Sequence, residues 1–162
     1  MSIYSSNKMK THLSFSSEKT KNFGEGLARK YAKRSTRKGA LVFALTGDLG
    51  SGKTTFTQGF LRGLGLKKRT TSPTFIIFRR FVLRSKTSHL KPKTYSHFYH
   101  IDAYRIKDPR ELTALGIKEI FSDPKNIVLV EWADKIKNIL PQSAIRIKFL
   151  HGKKENERLL TG

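Results

Sequence analysis

At 162 residues the chain is long enough for one domain with a real core and short of the length at which two cores are expected. Its 33 lysines and arginines against 12 acids leave a formal charge of +21. That balance favours polyanions such as tRNA, ribosomal RNA or acidic protein partners, with a lysine-rich genome as the competing explanation. Without cysteine, disulfides, thiolate chemistry and cysteine-based zinc sites are excluded. No apolar run reaches membrane length and the first residues lack the apolar centre of a secretory signal, so a soluble, cytoplasmic protein is expected.

Residues 1–15 are polar, basic and aperiodic, which predicts a flexible arm. From 16 the pattern changes: in "SSEKTKNFGEGLARKYAKRS" Phe23, Leu27 and Tyr31 recur four apart, with Ser16 or Ser17 available as an N-cap, and predict an amphipathic helix with a basic outer side. "ALVFALTG" (40–47) is a continuous apolar run ending at glycine, the pattern of a strand buried on both faces. After a short loop, "KTTFTQGFLRGLG" carries Phe56, Phe60 and Leu64 at helical spacing until Gly65 stops it. "FIIFRRFVL" and "YSHFYHIDAYRI" read as two strands, joined across the polar "RSKTSHLKPKT" most simply as a long hairpin. "DPRELTALGIKEIFSD" predicts one short helix with Asp108 as cap and Pro109 in its first turn. "NIVLVEW" is again a buried strand, "ADKIKNILP" a short helix stopped by Pro141, and "AIRIKFL" an alternating strand. The expected organisation is a basic arm (1–15), one domain (16–150) and a C-terminal tail (151–162), with no internal repeat.

"GDLGSGKTT" (47–55) satisfies G-x-x-x-x-G-K-[ST] through Gly47, Gly52, Lys53 and Thr54, between an expected strand and an expected helix. In that context the N–H groups of Gly50, Ser51, Gly52 and Lys53 point inward at a helix N-terminus, where the macrodipole favours anions. Lys53 is then placed to bridge terminal phosphates and Thr54 to hold Mg²⁺.

Binding phosphate is not yet chemistry, which needs carboxylates near the metal. Basic residues crowd the stretch from 67 to 107, and Asp102 is its one acid. A catalytic use and a salt bridge with Arg105 are equally open for it. Glu131 ends "NIVLV", where a buried parallel strand delivers a side chain to the carboxyl edge of the sheet beside the phosphate loop, and such an acid commonly holds Mg²⁺. His97 and His100 flank the strand of Asp102; without suitably spaced acidic partners they read as strand-face histidines packed beside Tyr99, not as metal ligands. Phe75, Phe78 and Phe81 recur beside Arg79 and Arg80, which fits base stacking in a basic groove less well than core on one side and solvated charge on the other.

In series, "GDLGSGKTTFTQGFLRGLG", "TSPTFII", "YHIDAYRI" with "ELTALGIKEIF", and "VLVEWADKI" resemble the small P-loop ATPases of the TsaE (YjeE) type, over roughly residues 16–141. The resemblance implies an α/β fold, a P-loop NTPase-like three-layer sandwich with a mixed central sheet and flanking helices. It implies a Mg²⁺-dependent ATPase in the machinery that makes N6-threonylcarbamoyladenosine at position 37 of tRNA. Its partners would be the threonylcarbamoyl transferase and its non-catalytic relative (TsaD and TsaB type), with tRNA brought by the complex. Lys53, Thr54 and Thr55 would bind ATP phosphates and Mg²⁺, Asp102 would be a catalytic or metal-associated acid that orients water, and Glu131 a magnesium ligand. The "SPTF" block (72–75), with Thr74 its polar candidate, would approach the γ-phosphate, and Trp132 would lie near the nucleotide. The segment around Ser17 and Thr20 would close over the base.

Two departures stand out. The family often has proline after "EW", where Ala133 and Asp134 stand here, so Asp134 adds a charge near the metal; and "HGKKENERLLTG" matches only loosely. The rival readings are a small-molecule P-loop kinase, with "FRRFVLR" as its only lid candidate, and a basic RNA-binding nucleotide switch without essential hydrolysis. A GTPase is disfavoured by the lack of N-K-x-D.

Overall fold

The computed structural model describes residues 11–34, 38–66, 77–83 and 95–162. Within these residues seven strands form one sheet: β1 (His12–Ser14), β2 (Leu41–Thr46), β3 (Phe78–Val82), β4 (His97–Asp102), β5 (Asn126–Glu131), β6 (Ile145–His151) and β7 (Arg158–Thr161). Among the described residues four helices accompany them: α1 (Ser17–Ala32), α2 (Lys53–Gly63), α3 (Arg110–Ala114) and α4 (Ile117–Ser122), with a 3-10 turn at Ala133–Ile136. The strand order is β1-β7-β6-β2-β5-β4-β3. The four central strands run parallel, and β1, β7 and β3 are added antiparallel at the two edges. The sheet is therefore mixed, as the family resemblance implies.

Side-chain alternation explains why β2 and β5 are continuously apolar. Leu41, Phe43 and Leu45 of β2, with Ile127 and Leu129 of β5, pack under α1 and α2 around Phe56, Phe60, Phe98 and Phe149. Val42 and Ala44, with Val128 and Val130, pack on the opposite face against Leu112, Ile117, Phe121 and Ile136. A strand covered by helices on both faces has no polar side to show. The result is three layers, with α1 and α2 on one face and α3, α4 and the 3-10 turn on the other.

The helix pair over the P-loop face is held at close range by glycines. A Cβ on Gly59 of α2 would fall 1.9 Å from the Lys21 carbonyl oxygen of α1, and one on Gly24 of α1 would fall 2.4 Å from the Phe56 carbonyl oxygen. Backbone cannot yield as a side-chain tip can. Gly59→Ala is therefore expected to destabilise the fold by at least the ~1–3 kcal/mol typical of overpacking, read as a drop in the chemical denaturation midpoint; an unchanged midpoint would refute this packing. At the start of α1, the Ser16 side chain accepts from Lys19 N–H at 3.2 Å, so Ser16 is the N-cap. Its replacement by alanine is expected to cost about 1 kcal/mol in the same measurement.

Three expectations change. The arm read as 1–15 already forms β1 at His12–Ser14, and the tail read as 151–162 supplies β7, its partner: His12 pairs with Leu160 and Ser14 with Arg158. Both segments are too short to show a period, and pairing with each other and with β6 is what makes them strands. The single helix expected after Asp108 is two, because Gly116 takes φ +79° and ends α3 in the left-handed conformation that glycine adopts without cost. The helix expected up to Pro141 is only the 3-10 turn Ala133–Ile136, whose Ala133 and Ile136 both enter the core, a single short turn of the kind in which 3-10 pieces usually occur. The antiparallel hairpin of β3 and β4 is as expected, with Phe78 opposite Ile101 and Val82 opposite His97.

Candidate functional site

β2 ends at Thr46 and α2 begins at Lys53, so the glycine-rich segment turns the chain directly from the carboxyl edge of the sheet into a helix N-terminus. Its glycines are required by conformation: Gly47, Gly50 and Gly52 have φ of +138°, +72° and +100°. At Gly47 a Cβ would also fall 2.4 Å from the Phe149 carbonyl oxygen. The Ser51 N–H, expected to face inward, closes a turn onto the Asp48 carbonyl at 3.2 Å.

Lys53 opens α2 and is buried at 4% exposure. Its Nζ donates to the carbonyls of Gly47 (2.6 Å) and Asp48 (2.8 Å) and lies 3.8 Å from the Trp132 ring centroid. Burial pulls its pKa below the ordinary lysine value, partly countered by the charges of Glu131, Asp134, Asp48 and Asp102. The ammonium is thus held by loop carbonyls and an aromatic face, contacts that a phosphate can replace. Trp132 itself adopts φ +58°, a left-handed conformation uncommon for a bulky residue, which turns its ring back over the loop; Tyr104 packs on it at 4.9 Å.

Glu131, the last residue of β5, is 3% exposed. Its Oε2 accepts from Thr54 Oγ1 at 2.9 Å. Its Oε1 is approached by Thr57 Oγ1 at 2.8 Å and His100 Nε2 at 2.9 Å. Burial pushes the Glu131 pKa up, but the hydrogen bond and charge of His100 with the hydroxyls of Thr57 and Thr54 outweigh it and hold the carboxyl below its ordinary value. An ionised carboxylate beside an exposed threonine hydroxyl at the mouth of a phosphate loop is a donor set of hard oxygens, suited to Mg²⁺ completed by waters and substrate phosphates. Among the described residues there is no group of three or more His, Asp or Glu that could hold a metal ion.

Asp102 ends β4 and is paired in register with Glu131, so both acids stand at the same edge. Its side chain is exposed, and Oδ1 accepts the Tyr104 N–H at 3.0 Å. Ser16, Ser17 and Thr20 of the α1 start line a cleft shared with Gly50, Gly52 and Thr55 of the loop and with Asn156 and Arg158. The last two were missed in the sequence, where they lie in a stretch with no motif; strand pairing of β7 brings them in. Asp134 stands in the 3-10 turn after Trp132 and its charge reaches Lys53. Thr74 and the rest of the "SPTF" block lie outside the described residues. Phe78 and Phe81 pack toward opposite faces of the sheet, against Tyr99 and Phe98 respectively, which favours core over base stacking. His97 contacts Arg80 at 2.7 Å. His100 is the surprise: it is bonded into the carboxylate cluster, and only the parity of β4 beside β5 could have signalled this.

The family model for threonylcarbamoyl adenosine biosynthesis protein TsaE matches residues 14–160. The chain belongs to the TsaE family. It is 37% identical over 125 residues to the tRNA threonylcarbamoyladenosine biosynthesis protein TsaE of Haemophilus influenzae, covering 77% of this chain and 72% of that one. The Bacillus subtilis protein of the same name is 42% identical over 106 residues, 65% of this chain and 59% of that one. The Rickettsia bellii protein is 35% identical over 133 residues, covering 82% and 80%. Among solved structures, the crystal structure of Bacillus subtilis YdiB superposes with a TM-score of 0.67 at 30% identity, covering 95% of this chain and 83% of that one. The family match runs into β7 as far as residue 160 and so includes the stretch that carries Asn156 and Arg158. No helix among the described residues is long and apolar enough to cross a membrane.

Proposed function

We propose that this chain is the ATP-hydrolysing component of the cytoplasmic machinery that forms N6-threonylcarbamoyladenosine on tRNA, using ATP to cycle a transferase complex and not carrying the threonylcarbamoyl group itself. The observation that carries the reading is the contact of Thr54 with the buried Glu131 at 2.9 Å, because it joins the phosphate loop to an acid at the spot a phosphate-bound cation needs.

In this reading the N–H groups at the start of α2 and the Lys53 ammonium bind the β- and γ-phosphates, Lys53 exchanging the Gly47 and Asp48 carbonyls for phosphate oxygens. Thr54 and Glu131 would hold Mg²⁺, which when bound offsets phosphate charge. Asp102, exposed at the same edge, accepts a hydrogen bond from the attacking water and aligns it with the γ-phosphorus. Ser17, Thr20 and Thr55 line the cleft for the rest of the nucleotide, and Trp132 closes the loop's other side. The partners are the transferase and its non-catalytic relative, with tRNA delivered by the complex and the +21 charge lowering the cost of approaching it.

The test measures phosphate release and modified tRNA together, with the chain alone and with the transferase pair. Slow release alone, faster release in the complex and ATP-dependent modification are expected. Asp102→Ala is expected to keep nucleotide affinity and lower turnover by about 10²-fold, the lower range for a group acting on transition-state charge or proton position. Full multiple-turnover modification by Asp102→Ala would remove it from the mechanism, and a stoichiometrically phosphorylated metabolite in place of free phosphate would replace the whole reading by a kinase.

A further inference from the structure

His100 was expected to be a packed strand-face histidine, and its position demands another account. It stands on β4 with its side chain 23% exposed, and its Nε2 lies 2.9 Å from Oε1 of a glutamate whose own side chain is 4% exposed. An ionised carboxylate only accepts, so the imidazole donates from Nε2.

The two oxygens of Glu131 are not treated alike. Among the described residues, the partner recorded for Oε2 is the Thr54 hydroxyl at 2.9 Å. Oε1 has two, from different elements: Thr57 Oγ1 of α2 at 2.8 Å and His100 Nε2 of β4 at 2.9 Å. The Thr57 hydroxyl has one proton and also lies 3.0 Å from the Lys53 carbonyl, so its proton is contested. His100 is the donor with no competing acceptor at that nitrogen among the described contacts.

We propose that His100 is a positioning residue for the metal site: by fixing Oε1 it prevents the Glu131 carboxylate from rotating and leaves Oε2, beside Thr54, as the oxygen offered to a phosphate-bound divalent cation. This rests on the nucleotide-binding reading above and names how that site is set. A freely rotating carboxylate would spend part of its time with neither oxygen aimed at the cation, and loss of such orienting partners typically costs about 10–100-fold in metal affinity. Sequence supports the arrangement: His100 and Asp102 are two apart on β4, so strand alternation places both on the side of the sheet where Glu131 meets α2.

The experiment titrates Mn²⁺ against the full chain saturated with ADP, following free Mn²⁺ by electron paramagnetic resonance, and separately measures ADP affinity in EDTA and the melting temperature. His100→Phe keeps a ring and removes the donor, whereas His100→Gln places an amide N–H close to where Nε2 stands. His100→Phe is expected to weaken Mn²⁺ binding at least about tenfold, with metal-free ADP affinity unchanged and His100→Gln within about twofold of wild type. Equal Mn²⁺ affinity in wild type and His100→Phe would overturn the proposal, as would equal losses in Phe and Gln variants, which mark a merely structural role. Should His100→Phe not fold, His100→Asn, whose amide falls short of Oε1, takes its place, and wild-type Mn²⁺ affinity in it overturns the proposal equally. Failure of wild type to bind ADP at all would instead sink the nucleotide reading beneath it.

Discussion

Lys53→Ala is expected to abolish measurable ATP turnover and tRNA modification while leaving the fold intact. The lysine is one of 33 basic residues, but none of the others can substitute, because its ammonium is fixed at the first residue of α2, inside the phosphate loop and under Trp132. Removing one preorganised charged donor from such a site typically costs about 10²–10³-fold in turnover, and ground-state phosphate binding is lost in addition. The fold is expected to survive because burial already disfavours the charged lysine, so its removal relieves a desolvation cost while sacrificing two part-buried hydrogen bonds to loop carbonyls. Isothermal titration with ATP, phosphate release and a thermal melt check the three parts. Wild-type nucleotide affinity in Lys53→Ala would defeat the phosphate-loop assignment outright.

Glu131→Gln is expected to separate nucleotide from metal. The amide keeps the shape of the site, but its NH₂ faces donors where the carboxylate only accepted, so either His100 and Thr57 together or Thr54 lose their acceptor. Binding of ATP in EDTA should remain near wild type, whereas metal-dependent hydrolysis should fall by about 10²-fold or more, the scale of losing charge stabilisation on a transferred phosphoryl group. The same residue predicts a pH effect. Its folded-state pKa is depressed, so ionised Glu131 stabilises the fold above the ordinary carboxylate value, and that contribution disappears as pH falls through the depressed one. Wild type should therefore lose stability in acid more steeply than Glu131→Gln, over a window that begins at the ordinary glutamate pKa and extends below it. Parallel acid-unfolding curves would show that the Glu131 cluster does not hold the charge as described.

Much of the architecture could be read directly because it is written in local patterns. β2 and β5 are unbroken apolar runs since both faces are covered, α1 and α2 show their core-facing stripe at half-buried Phe23 and buried Leu27, Phe56 and Phe60, and the loop between β2 and α2 is dictated by glycines at positive φ. The three places where the secondary structure departs from expectation are all short segments. The strands β1 and β7 have three and four residues, too few to display alternation, and exist because each supplies the other's backbone partners. The break at Gly116 splits one apparent helix, since a single left-handed glycine outweighs the helical spacing around it.

For the site, the sequence alone determined which residues carry chemistry by type and order: a lysine after a glycine loop, an acid at the end of each of two adjacent strands, an aromatic following one of them. Each is fixed by contacts a few residues long. Tertiary structure alone decided which of them touch. The pairing of β4 beside β5 sets Asp102 level with Glu131 and brings His100 to its Oε1, and the pairing of β7 with β6 and β1 carries Asn156 and Arg158 to the cleft of Ser17, Thr20 and Thr55. The reason is physical: strand register is settled by burial summed over the whole sheet, a quantity that no short stretch of chain contains.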